Sequence, residues 1–239
     1  MKQVSFLHGW HSARLRLGWL WPGVALLGAL SLVLGAGMVE GQSIVAEAAA
    51  RSLETGLVQG VTFGLLLPLL CFALDLRLDN SLAALMGALW VRHGAERRAF
   101  ALGRLALPMA LTSGIVLSGG SLALALSNAA SAPALDLPVG LGSSWLGVLA
   151  AALLGAASYV AGLGWAQLVG GAWGRALFLL ADWLLGAGAG AAALPWPRAH
   201  LRALLGGESV LGLSAPISGV WLALIALSYL FFYLRRVPH

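Results

Sequence analysis

Six apolar runs of roughly twenty residues or more dominate this chain: Trp21–Val39, Leu57–Leu76, Leu102–Leu126, Ser144–Val169, Arg175–Leu194 and Pro216–Leu234. A helix rises about 1.5 Å per residue, so about 20 apolar residues cross the ~30 Å hydrocarbon core of a bilayer. A barrel strand would alternate in polarity and stop after about ten residues, so these runs read as helices. The expected fold is an all-α polytopic membrane protein with six transmembrane helices over residues 21–239, preceded by an N-terminal interfacial helix over residues 1–20.

Composition closes the alternatives. Hydrophobic residues make up 60% of the 239 and charged residues 10%, against about 25% charged in a soluble domain. That leaves too little polar surface for a dispersed globule and too much apolar matter for a disordered chain. The net charge of +5 rests on few basic residues, mostly at the ends of the apolar runs, so no nucleic-acid partner is expected. The one cysteine, Cys71, lies inside an apolar run and reads as a small buried hydrophobe.

The first twenty residues place Lys2, His8, His11, Arg14 and Arg16 among Phe6, Leu7, Trp10, Leu15, Leu17 and Trp19. Segregation of the two sets onto opposite faces would give an amphipathic helix in the headgroup layer. The alternative is the basic start of a signal peptide, for which the following apolar run is long and lacks a clear cleavage site. With the N-terminus in the cytoplasm, eleven of the fourteen Lys and Arg residues fall inside; Arg51, Arg198 and Arg202 fall outside. This asymmetry predicts both termini inside, and by analogy a bacterial cytoplasmic membrane. Gly147, Gly155, Ser158, Gly162, the Gly170–Gly171 pair, Gly186, Gly188 and Gly190 predict close packing of the fourth and fifth spans.

The missing chemistry is informative. Lys2 is the sole lysine, so no P-loop can form. There is no G-x-S-x-G or H-E-x-x-H, and the five histidines are scattered. No catalytic, cofactor or metal site is expected. Asp182 is the one acid deep in an apolar run. It reads either as a residue hydrogen-bonded to a neighbouring helix or as an intramembrane functional group.

Residues 77–103 form the longest inner connection. Asp79 or Asn80 suits an N-cap, and a short helix is expected over Ser81–Val91. A basic turn over residues 92–98 then leads through Gly103 and Arg104 into the third span. A far shorter loop would suffice as a connector. The segment therefore reads either as a solvated positive-inside loop or as a docking surface.

The stretch PLLCFALDLRLDNSL followed by ALWVRHGAERRAFALGRLAL resembles ABC-2 type transporter permeases. There, a turn similar to P-V-S-R-R-x-x-x-L-G-K opens the third span, and Arg104 stands here in the lysine place. PWPRAHLRALLGGESVLGLSAP before the last span, and Arg235-Arg236 after it, are also similar. The resemblance implies a half-channel that pairs with a second permease copy or homologue. A separate cytoplasmic ATP-binding cassette subunit would carry ATP and Mg. It further implies a coupling segment made of Leu82, Leu85, Met86, Leu89, Trp90, Arg92, Glu96, Arg97, Arg98 and Arg104, and a re-entrant outer piece over residues 195–214. A carrier or channel working without ATP, and an accessory membrane subunit, remain the alternative readings.

Overall fold

The computed structural model describes residues 2–18, 55–78, 94–131 and 145–237. Among these residues the chain is helical without strands. We number the helices α1 (Lys2–Leu17), α2 (Leu67–Leu78, entered through a π-helical run Thr55–Leu66), α3 (Gly94–Ser131), α4 (Trp145–Leu185), α5 (Pro197–Leu204) and α6 (Ala215–Arg236). Short 3₁₀ turns lie at Ala191–Ala193 and Val210–Gly212. Among the described residues four helical stretches are long and apolar enough to cross a membrane: Val58–Leu78, Arg97–Leu124, Trp145–Leu185 and Ala215–Arg236. The first expected span, Trp21–Val39, lies outside the described residues, as does most of the outer loop after it.

The fourth and fifth expected spans form the two helical arms of α4, joined at Gly171, where the chain doubles back. Gly171 adopts φ 59°, ψ −142°, a left-handed conformation open to glycine and costly for other residues. The arms on either side, 145–170 and 172–185, then run antiparallel in close contact. Gly174 backs directly onto the carbonyl of Ala166, and a Cβ at Gly162 would stand 2.5 Å from the ring of Phe178. Small residues at these crossings let two backbones approach where a larger side chain would hold them apart. The packing expectation holds at Gly155, Gly162 and Gly186, whereas Gly170, Gly171, Gly188 and Gly190 have no other element against them.

The fifth span was expected to run to Leu194, but its helix ends at Leu185. Its last backbone bond runs from Gly186 N–H to the carbonyl of Asp182, 2.9 Å away. The reason is the sequence Gly186-Ala-Gly-Ala-Gly190. It offers no side chain larger than a methyl to pack, and every glycine in it adds backbone entropy that a helix must overcome. The chain then turns back along the arm it has just left. Trp196 packs on Phe178 with ring centroids 5.9 Å apart, and Tyr229 of α6 donates its hydroxyl to the carbonyl of Pro195 at 3.2 Å. Pro197 opens α5 at a position where its missing N–H costs nothing.

Helix α1 exists as expected, but its apolar and basic side chains do not separate. Val4, Leu7, His8, His11 and Leu15 share the exposed side. The buried side is made of small residues. Gly9 meets the backbone carbonyl of Phe100, and Gly103 meets that of Phe6. Ala13 is fully buried beside Leu70, Leu74, Leu78 and Leu107. α1 is therefore braced against α3 by backbone contact and against α2 by apolar side chains.

Candidate functional site

Two buried polar constellations stand out, one at the Gly171 end of the helices and one farther along the second arm of α4. At the first, the side chain of Arg175 reaches across to α2. Its Nη1 donates to the Asp75 carboxylate at 3.1 Å and to the Asp75 carbonyl at 3.2 Å. The two side chains are 8% and 3% exposed, so the pair is effectively out of solvent. A few residues on, α2 ends at Leu78. Arg104 of α3, itself 1% exposed, donates to the Leu78 carbonyl, and Arg16 of α1 approaches the same oxygen at 3.4 Å. Both arginines meet the negative end of the α2 dipole, which also lacks intrahelical donors. Arg104, ten residues beyond the start of α3 at Gly94, thus ties α3 to the C-terminal end of α2.

The residues expected to couple to a partner fall into three groups. Leu82, Leu85, Met86, Leu89, Trp90 and Arg92 lie outside the described residues, as does the helix expected over Ser81–Val91. Glu96, Arg97 and Arg98 were expected in a turn before the third span, yet α3 already begins at Gly94. The run Ala-Glu-Arg-Arg-Ala is rich in good helix formers, so the basic residues occupy the first turns of the helix. Arg97 and Arg98 are half-buried there. Arg104 is buried and donates to the Leu78 carbonyl at the end of α2, so its side chain faces inward.

Asp182 is fully buried. Its Oδ2 accepts the Tyr159 hydroxyl at 2.6 Å, and its Oδ1 accepts the backbone N–H of Arg198 at 3.1 Å. Arg198 is the second residue of α5, whose N-cap, Trp196, supplies no side-chain cap. Asp182 thus serves as a cap borrowed from another helix. It satisfies an orphan N–H and places negative charge at the positive end of α5. One carboxylate joins both arms of α4 to α5. Of the two readings of Asp182 from sequence, the hydrogen-bonded one describes the geometry.

Arg198 itself was not singled out by sequence. Its guanidinium donates from Nη1 to the carbonyl of Gly64 at 3.0 Å and lies 5.1 Å over the Trp183 ring. Pro68 explains the first contact: it has no N–H to give the carbonyl four residues earlier, which is that of Gly64. Gln59 makes a parallel link from the π-helical run, donating from Nε2 to the Leu205 carbonyl at 2.7 Å. Between these links opens a cleft of about 260 Å³ lined by Gln59, Phe63, Gly64, Arg198, Arg202 and Leu205, among others. Beside it, His200 of α5 is buried, donates from Nε2 to the Leu194 carbonyl at 2.8 Å and stacks on Trp221.

Among the described residues no group of three or more His, Cys, Asp or Glu side chains gathers as metal ligands would. No protein-family model, curated protein or solved structure matches the chain. The fold and the two constellations therefore define its class directly: a helical protein with several helices suited to crossing a membrane, tied internally by buried polar pairs.

Proposed function

We propose that this chain is the membrane-spanning permease subunit of an ATP-driven ABC-2 type transporter. It crosses the bacterial cytoplasmic membrane six times with both termini inside, pairs with a second permease copy, and is driven by a separate cytoplasmic ATP-binding cassette subunit. The observation that carries the reading is the tie between Arg104 and the Leu78 carbonyl, braced by α1. A lever must be rigid at its base. A force applied to residues 79–93 by a nucleotide-driven partner would pass through this tie into α2 and α3 at once, and through Asp75–Arg175 into the α4 hairpin. The resemblance of residues 94–104 to the permease turn supports the same assignment. Burial of Asp182 as a helix cap argues against using it as a proton relay.

The test is isolation of the tagged chain from its native membranes. The expected result is a co-purifying soluble ATP-binding subunit whose ATPase is coupled to transport. In the double variant Arg97→Glu/Arg98→Glu, the complex should fall apart or hydrolyse ATP without transport. A chain that transports alone, or a double variant with normal assembly and turnover, would overturn the proposal.

A further inference from the structure

We infer that the cleft between the π-helical run and α5 binds the net-negative headgroup of an amphiphile. Depth is the first argument. Asp182 stands eleven residues beyond the Gly171 turn, about 16 Å along the arm at 1.5 Å per residue. With that turn at one membrane face, Arg198, whose N–H meets Asp182, lies near the middle of the ~30 Å core. A guanidinium at such depth is costly unless it is paired or faces a polar cavity, and it marks a site by default.

Charge is the second argument. Among the described residues no carboxylate forms an ion pair with the Arg198 guanidinium; Asp182 takes the backbone N–H instead. One Nη1 bond to Gly64 occupies a single donor of the five that a guanidinium carries. Arg202, one turn along α5, lines the same cleft; its Nη2 pairs with Glu208, whose side chain is 66% exposed, and its Nη1 donates to the Ala187 carbonyl. Two arginine forks converging on one space are the arrangement that recognises phosphate or carboxylate oxygens.

Size and shape complete it. At about 260 Å³ the cleft is below the range for whole drug-sized ligands, roughly 300–1,000 Å³, and suits a headgroup whose tail stays outside. The apolar outer surface continues from it through Val61, Leu65 and Leu69, each more than 40% exposed. The inference does not depend on an ATPase partner, since the cleft lies away from the Asp75–Arg175 end.

The full-length protein, in micelles of a neutral maltoside, is titrated with dihexanoyl phosphatidylglycerol, dihexanoyl phosphatidylcholine and inorganic phosphate. The readout is the emission of Trp183, which lies under Arg198, with Trp183→Phe as the blank. Phosphatidylglycerol should saturate the signal at a concentration at least tenfold below the other two, and Arg198→Gln should raise that concentration tenfold or more. Should Arg198→Gln fail to fold, Arg202→Glu carries the test with the same expected loss. Equal responses to phosphatidylcholine, equal responses to phosphate alone, or wild-type binding in the folded arginine variants would each overturn the inference. Mass spectrometry of the purified protein separates the sources. An anionic lipid retained by wild type and lost in Arg202→Glu is a resident lipid, whereas an empty site that fills reversibly is one for exchangeable cargo.

Discussion

The hydroxyl of Tyr159 and the carboxylate of Asp182 meet at 2.6 Å in the interior of the α4 hairpin, 23 residues apart in sequence. The contact sets the register of the two arms, and the same carboxylate holds α5 through Arg198 N–H. Removing the phenol leaves a buried acceptor with one donor fewer, at a cost of about 1–2 kcal/mol. Tyr159→Phe should lower the unfolding temperature in detergent by a few degrees. Asp182→Asn keeps Oδ1 as acceptor for the Arg198 N–H, and its Nδ2–H can donate to the Tyr159 oxygen once the hydroxyl turns, so it should cost no more than that. Asp182→Leu strands the Arg198 N–H and should cost more than either. Equal stability of Asp182→Leu and Asp182→Asn would show that the cap is not needed.

The turn of the hairpin separates two glycines that look alike in sequence. Gly174 backs onto the Ala166 carbonyl with no room for a Cβ, whereas Gly170 has nothing within 4 Å of where its Cβ would be. Gly174→Ala must push the arms apart, and the loss should exceed about 2 kcal/mol, with poor yield of folded protein. Gly170→Ala should be neutral or slightly stabilising. Gly171→Ala falls between them, at about 1 kcal/mol for a left-handed φ without glycine. Parallel expression of the three variants, read by size-exclusion profile and thermal unfolding, gives the order directly.

These contrasts also mark how far the sequence could be read. Apolar runs set the helices, because crossing a bilayer demands length and continuity that few other folds require. By sequence the Gly170–Gly171 pair reads as a packing signal, whereas Gly171 forms the turn between the fourth and fifth runs. Pairing across it was not legible, although Tyr159 and Asp182 stand nearly equidistant from Gly171. The early end of the fifth helix at Leu185 was hidden because alanine and glycine score as apolar while glycine opposes a helix. Arg198 was counted only as an outer positive charge, yet the chain folds back after Gly190 and carries it inward. Pro68 held the signal for its contact, since a proline in a helix always leaves a carbonyl seeking a donor.

His200 gives the protein a dependence on acidity. Burial holds its pKa below the ordinary 6.5, partly opposed by the bond to the Leu194 carbonyl. Its Nδ1 is buried without a hydrogen-bond partner, so a second ring proton would have nothing to bond. The unfolded chain therefore binds a proton more readily than the folded one. Stability is complete above pH 6.5 and declines as the pH falls below it. Thermal unfolding measured from pH 8 to pH 5 should be flat and then fall. In His200→Gln the fall should be smaller, and an unchanged profile would assign the acid sensitivity elsewhere.

The Asp75–Arg175 pair calls for two variants rather than one. Each partner is buried, so removing either strands a charge in the interior, at a cost of about 3–5 kcal/mol. Arg175→Met alone should destabilise the protein severely. Asp75→Leu combined with Arg175→Met removes both charges and should recover most of that loss, because burying the pair costs desolvation that its attraction only offsets. Stability and transport then part company. If the pair carries motion from α2 to the α4 hairpin, the double variant should be stable and yet transport poorly, with ATPase activity in the assembled complex no longer tied to substrate. Full transport in a stable double variant would reduce the pair to packing and shift the mechanical path to the Arg104–Leu78 tie.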